Sequence, residues 1–174
     1  GDSTTILTSS DGTSWTSRNN DLNSKIWSVR YINKNFEIVS DSGCILTSSN
    51  GISWSYRNCI PPKIIKDISY GSGIFVIVGN SGNILTSSEG NSWDSKTSGI
   101  TKYLYGVTYG ENNFVAVGES GTILTSSDGT SWTTRTSPSD ILLGLTYGNS
   151  TFVAVGNFGT IVTSSDGISW TERT

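Results

Sequence analysis

Apolar side chains recur at every second position in four related segments, 26–31, 65–70, 104–109 and 142–147. Val29 and Tyr31, Ile68 and Tyr70, Val107 and Tyr109, and Leu145 and Tyr147 mark the alternation, the period of a strand with one covered face. After each comes a second run, Phe36 to Ser40, Phe75 to Gly79, Phe114 to Gly118 and Phe152 to Gly156. Three of these four are apolar without interruption, which predicts strands covered on both faces. A third segment, Ile-Leu-Thr-Ser in four of its five copies, precedes Asp11-Gly12, Asn50-Gly51, Glu89-Gly90, Asp128-Gly129 or Asp166-Gly167. Such dipeptides accept the positive φ of a tight hairpin turn, so a fourth strand, starting at a tryptophan, pairs back on the third. No segment carries a helical period.

The tryptophans Trp15, Trp54, Trp93, Trp132 and Trp170 are spaced by 39, 39, 39 and 38 residues. A period near 40 with strand content predicts an all-β propeller of four-stranded blades, strands A to D in chain order. The chain of 174 residues is read as one propeller domain, 1–174, with about five blade positions. Residues 1–15 form a half blade of strands C and D, followed by full repeats at 16–54, 55–93, 94–132 and 133–174. The first blade therefore lacks its inner strands. The ring closes with a half blade, or the chain is a piece of a longer array, or chains assemble as a homo-oligomer that completes it. The five tryptophans are expected to be packing anchors between sheets, each indole N–H with a nearby acceptor.

The repeats resemble the Asp-box (BNR-type) propellers of sialidases, photosystem II assembly factors and many bacterial secreted proteins. The family's box, Ser/Thr-x-Asp-x-Gly-x-x-Trp or Phe, matches Thr8 to Trp15 in length, glycine and tryptophan. Its acid is displaced by one place, with Ser10 at the expected Asp position and Asp11 after it, in all five copies. The resemblance implies the propeller fold, and opens sialidase and assembly-factor roles as expectations to be weighed.

The chemistry argues against an enzyme. Histidine is absent, which removes the commonest general base and metal ligand. Sialidase chemistry needs an arginine cluster and a tyrosine–glutamate nucleophile pair, yet Arg18, Arg57, Arg135 and Arg173 each follow a repeated tryptophan by three residues. Lys96 fills the fifth slot and only Arg30 lies outside the pattern. A cation repeated on every outermost strand cannot converge on one pocket, and a charged sheet edge discourages aggregation. The turn acids Asp11, Glu89, Asp128 and Asp166 lie a whole blade apart, whereas calcium needs six to eight oxygens together. They read as turn residues. Asp41, Asn80, Glu119 and Asn157 follow strand B and ring one face with oxygens, with ordinary turn polarity the simpler account. No metal or cofactor is expected. With a net charge of -3 and no basic run, nucleic acid is not an expected partner. No apolar stretch reaches the roughly 20 residues that span a bilayer.

Cys44 and Cys59 stand about equally far from the turn at Asn50-Gly51, which places them opposite each other in a hairpin, near disulfide distance. A bridge there would suit an oxidising compartment. Two free thiols are the alternative.

Recognition is sought where the copies disagree. The D-to-A connections 19–25, 58–64, 97–103 and 136–141 share almost nothing, and they emerge with the B-to-C loops on one face. Trp27 aligns with Lys66, Tyr105 and Leu143, and Phe158 replaces Ser42, Ser81 and Ser120. Trp27, Lys66, Tyr103, Tyr105 and Phe158 are the candidate ligand-binding residues, since rim aromatics stack on sugars or anchor proteins. Drift, with these side chains filling local gaps, is the competing account. Asn149-Ser150-Thr151 is a glycosylation sequon, meaningful only in a eukaryotic secretory setting. The expected function is a non-catalytic recognition module of a secreted or surface-exposed bacterial protein, located outside the cell or on its surface, binding a glycan or protein. The alternatives are a structural repeat of a larger scaffold, then an assembly-factor role.

Overall fold

A computed structural model describes residues 4–61, 63–135, 137 and 141–173. Residues 1–3, Pro62, most of the connection 136–141 and Thr174 lie outside the described residues. The chain is all-β and of the propeller class, with strands in antiparallel sheets that follow the sequence order. The first sheet has two strands, β1 (Ile6–Thr8) and β2 (Thr16–Arg18). Next come β3 (Ile26–Ile32), β4 (Asn35–Ser40), β5 (Cys44–Ser48) and β6 (Ser55–Cys59). The third sheet holds β7 (Ile65–Gly71), β8 (Ile74–Gly79), β9 (Ile84–Ser87) and β10 (Asp94–Lys96). The fourth holds β11 (Leu104–Gly110), β12 (Asn113–Gly118), β13 (Ile123–Ser126) and β14 (Thr133–Arg135). The last holds β15 (Leu142–Gly148), β16 (Thr151–Gly156), β17 (Ile161–Ser164) and β18 (Thr171–Arg173).

Contacts group the chain into two compact units, Gly1–Ile65 and Lys66–Thr174. Repeats cut at the tryptophans separate the fourth strand from the rest of each of the first four sheets, because the tryptophan ends the turn and the fourth strand hydrogen-bonds only after it. Thr125 pairs with Thr133 and Ile123 with Arg135, for example.

The turn between the third and fourth strands shows what the displaced acid does. Asp128 Oδ1 accepts from the backbone N–H of Thr130 and Ser131 at 2.7 and 2.8 Å, and from the Ser126 hydroxyl at 2.9 Å. Asp11 and Asp166 repeat the arrangement, and the Asn50 amide oxygen accepts from Ile52 and Ser53 in the same way. The serine two places before the acid accepts from the glycine N–H, as Ser164 does from Gly167 at 2.8 Å. Hydrogen bonds to the ionised form favour it, so Asp11, Asp128 and Asp166 are all held below the usual carboxylate range. The indole N–H of Trp54, Trp132 and Trp170 donates to the glycine carbonyl three residues back. That of Trp93 is buried with no such partner among the described residues.

Within the second unit, neighbouring sheets lock through a recurring set. Val76, Val78 and Ile84 pack on Leu104, Val107, Phe114, Ala116 and Leu124, and one repeat later Val115, Val117 and Ile123 pack on Leu142, Leu145, Phe152 and Ala154. Burying each such side chain is worth roughly 1.5–3 kcal/mol. At the edge of this core Tyr109 lies against Gly71 and Tyr147 against Gly110. Gly129, at φ +69°, sits so close to β8 that a Cβ would stand 2.7 Å from the Ile74 side chain.

In the first unit, Ile6, Leu22, Ile38 and Leu46 form a smaller core. Cys44 and Cys59 pair directly across β5 and β6 and are joined by a disulfide. Glu37 interrupts the apolar run of β4 where Val76, Val115 and Val153 stand in the other sheets. It is buried and bonded to Arg57 and Thr47; burial raises its pKa, and the Arg57 charge opposes that rise. The other fourth-strand arginines reach back across their sheets: Arg18, Arg135 and Arg173 donate to Thr8, Thr125 and Thr163.

Candidate binding face

In each full sheet of the second unit a 3-10 turn joins the second and third strands, at Asn80–Gly82, Glu119–Gly121 and Asn157–Gly159. These turns are tied to the connections that enter the first strands. The Glu119 N–H donates to the Tyr103 carbonyl at 2.9 Å, and Asn157 donates to Ile141 at 3.3 Å. In the first unit Asp41 donates in the same sense to Lys25 at 3.0 Å. The two loop sets therefore occupy the same end of each sheet.

The middle residue of each turn is left-handed: Ser81 at φ 55°, Ser120 at 54° and Phe158 at 56°. Serine tolerates that conformation more readily than a bulky aromatic. Phe158 is also wholly exposed, at 102%. It gains nothing from burial and carries the backbone strain of its position.

The column of Trp27, Tyr105 and Leu143 has a structural meaning that alignment alone does not show. The ladder passes from Ile26↔Ser40 to Ser28↔Val39, from Leu104↔Gly118 to Gly106↔Val117, and from Leu142↔Gly156 to Gly144↔Val155. The residue skipped each time is Trp27, Tyr105 or Leu143. A bulge re-aims its extra side chain out of the ladder, which is why residues here differ without disturbing the sheet. Trp27 and Leu143 are exposed and Tyr105 is half-buried. Lys66, in the same column, is buried rather than presented at the rim.

Two of the candidates meet. Tyr103 and Tyr105 stand edge to face with ring centres 6.4 Å apart, and Glu119 accepts from the Tyr103 N–H at 3.3 Å. Burial pushes the Tyr105 hydroxyl pKa up, with Glu119 and Tyr103 adding to the shift. In the first unit Trp27 donates its indole N–H to Asp41, and Lys25 Nζ lies 4.3 Å from the ring centre, a cation–π contact. Lys25, Asp41 and Glu119 are therefore part of these clusters although the variable columns did not single them out. Their signal was adjacency to those columns in the B-to-C and D-to-A loops. Trp15 departs from the anchor role: it is 60% exposed, while the other four repeat tryptophans, Trp54, Trp93, Trp132 and Trp170, are half-buried. Trp54, Trp93 and Trp170 pack beside a second-strand phenylalanine, Phe36, Phe75 and Phe152, which the two-stranded sheet lacks. Among the described residues no three His, Cys, Asp or Glu side chains gather as a metal site.

No family profile matches the chain, and no curated protein matches it either. Solved structures do. YCF48 from Cyanidioschyzon merolae superposes with a TM-score of 0.69 at 16% identity over 90% of this chain and 58% of that one. YCF48 bound to D1 peptide gives 0.65 at 22% identity over 92% and 57%. The nidogen/laminin complex gives 0.74 at 14% identity over 91% and 68%. The chain thus spans less than two thirds of the two YCF48 chains. These likenesses establish the propeller fold.

Proposed function

We propose that the chain is a non-catalytic recognition module that binds an extended peptide segment of a protein through its loop face. Phe158 carries the reading: a strained, wholly exposed aromatic where the equivalent turns use serine. A side chain that contributes nothing to folding there is accounted for by contact with something outside the chain. The edge-to-face Tyr103–Tyr105 pair with Glu119 adds an amphipathic surface suited to the same task. Two structural neighbours lend weight, since one is YCF48 bound to D1 peptide and another is the nidogen/laminin complex. A glycan is the alternative ligand, because the same aromatics stack on sugar rings. The variant turn box suits membership of the Asp-box propellers, and the Cys44–Cys59 bridge suits a secreted or surface-exposed bacterial protein.

Panning a random-peptide phage library on the chain tests this, with a glycan array in parallel. Enriched peptides should lose binding to Phe158→Ser and to the double change Tyr103→Ala, Tyr105→Ala. Peptides that bind both variants as well as the parent would overturn the reading, and saturable binding on the glycan array alone would replace the ligand class.

A further inference from the structure

An acid opens the B-to-C loop only in the two full sheets whose first strand carries an aromatic in the variable column. Asp41 goes with Trp27 and Glu119 with Tyr105, whereas Asn80 goes with Lys66 and Asn157 with Leu143. In both acidic sheets the same backbone bond sets the register, from the Asp41 N–H to the Lys25 carbonyl and from the Glu119 N–H to the Tyr103 carbonyl. Lys25 and Tyr103 are therefore equivalent positions. So are Trp27 and Tyr105, the residues skipped at the bulge.

The first unit shows what such an aromatic and acid hold. Lys25 places its ammonium 4.3 Å from the centre of the Trp27 ring, and the indole N–H donates to the Asp41 carboxylate. The cation gains from the ring face and from the negative charge beside it. The second unit keeps a ring and an acid but has no lysine in the equivalent place. Tyr103 stands there, 40% exposed, and forms with Tyr105 a corner of two rings at 87°. One Glu119 oxygen accepts the Tyr103 N–H at 3.3 Å, and the acid is in no salt bridge among the described residues. Its charge reaches the Tyr105 hydroxyl, adding to the upward pKa shift that burial causes. Lys102, next along the chain, is exposed and pairs with neither the acid nor the rings.

We propose that the corner of Tyr103, Tyr105 and Glu119 is a subsite for a lysine side chain of the bound peptide. It rests on the peptide reading of the loop face and gives that peptide a chemical signature. The ligand's ammonium takes the place that Lys25 holds over Trp27, and its methylenes lie along the tyrosine rings. A compact ammonium fits the corner between perpendicular rings, whereas a planar guanidinium stacks best on one open face. The net charge of -3 adds a field of the right sign.

N-acetyl-lysine methylamide is the probe, with the norleucine analogue as its uncharged counterpart. Titrated into the full chain carrying isotope-labelled tyrosine, the lysine amide should shift the Tyr103 and Tyr105 ring resonances saturably in the millimolar range. The norleucine amide should not, and added salt should weaken the lysine effect, since an exposed charge contact is screened. Glu119→Gln should weaken binding roughly tenfold while keeping an acceptor for the Tyr103 N–H. Tyr103→Lys should abolish probe binding at Tyr105, because it rebuilds the Lys25–Trp27–Asp41 arrangement and fills the corner from within; Tyr103→Leu should only weaken it. Neither Tyr103 nor Glu119 is buried, so Tm should stay near the parent value in all three variants. Equal shifts from both amides, no shift from either, or binding indifferent to Glu119→Gln would overturn the lysine subsite. Phage-selected peptides that still depend on Phe158 would then leave the peptide reading standing without it, and loss of that dependence as well would remove both.

Discussion

The ring of Tyr109 occupies the space a side chain on Gly71 would need: a Cβ there would stand 2.0 Å from Tyr109 Cγ. Tyr147 and Gly110 repeat the relationship at 2.3 Å, whereas nothing lies within 4 Å of a Cβ on Gly148. Neither the tyrosine ring nor the packed core beneath it yields cheaply.

Gly71→Ala and Gly110→Ala should therefore each destabilise the chain by roughly 1–3 kcal/mol in urea unfolding. Gly148→Ala should change stability by no more than about 0.5 kcal/mol. Equal effects at all three positions would mean that the tyrosine contact does not matter.

Acid should weaken the fold through the turn carboxylates. Asp11, Asp128 and Asp166 have folded pKa values below their unfolded ones, near 3.9 in model peptides. Their contribution is complete above the unfolded value and declines as pH falls through the depressed folded values. Asp128→Asn should keep the turn, as Asn50 does with the same two bonds, and flatten part of the stability profile between about pH 5 and pH 2. An unchanged slope would remove Asp128 from the account.

Reducing Cys44–Cys59, which closes a sequence separation of 15, should lower stability by about 2–3 kcal/mol. Unfolding of Cys44→Ser, Cys59→Ser against the oxidised parent measures it. Loss confined to β5 and β6 by hydrogen exchange would show that the bridge holds one hairpin rather than the unit.

Phe158→Gly should raise stability by about 1 kcal/mol, since the left-handed strain goes and no buried contact is lost. The same change should abolish ligand binding on the loop face. Stability and binding that fall together would instead make Phe158 a packing residue.

The blade pattern was open to sequence reading because each strand has its own periodicity and every turn between third and fourth strands its glycine. The two-stranded first sheet was visible too, since the residues before Trp15 supply only a third-strand segment and its turn. Register was not. Trp27, Tyr105 and Leu143 stood out only as a column of unlike residues, and a bulge is a property of how two strands pair, which one strand's sequence does not display. The same column holds Lys66, which is buried; which neighbours surround a position depends on packing between sheets rather than on the repeat. The strain at Phe158 was equally hidden, because the neighbouring Gly159 gives no sign that the residue before it is left-handed as well.

The tyrosine–glycine contact has a consequence for how such a chain grows. The β11–β14 sheet carries both halves of the lock, since Tyr109 fills the notch at Gly71 and Gly110 receives Tyr147. Duplicating or deleting that unit would leave its junctions with a matching pair, so an array can change length there without inventing a new surface. A crossover that falls between the tyrosine and the adjoining glycine within one unit keeps that compatibility only if it preserves their spacing. Length is the inexpensive variable in this architecture, and loop chemistry is free to diverge on top of it.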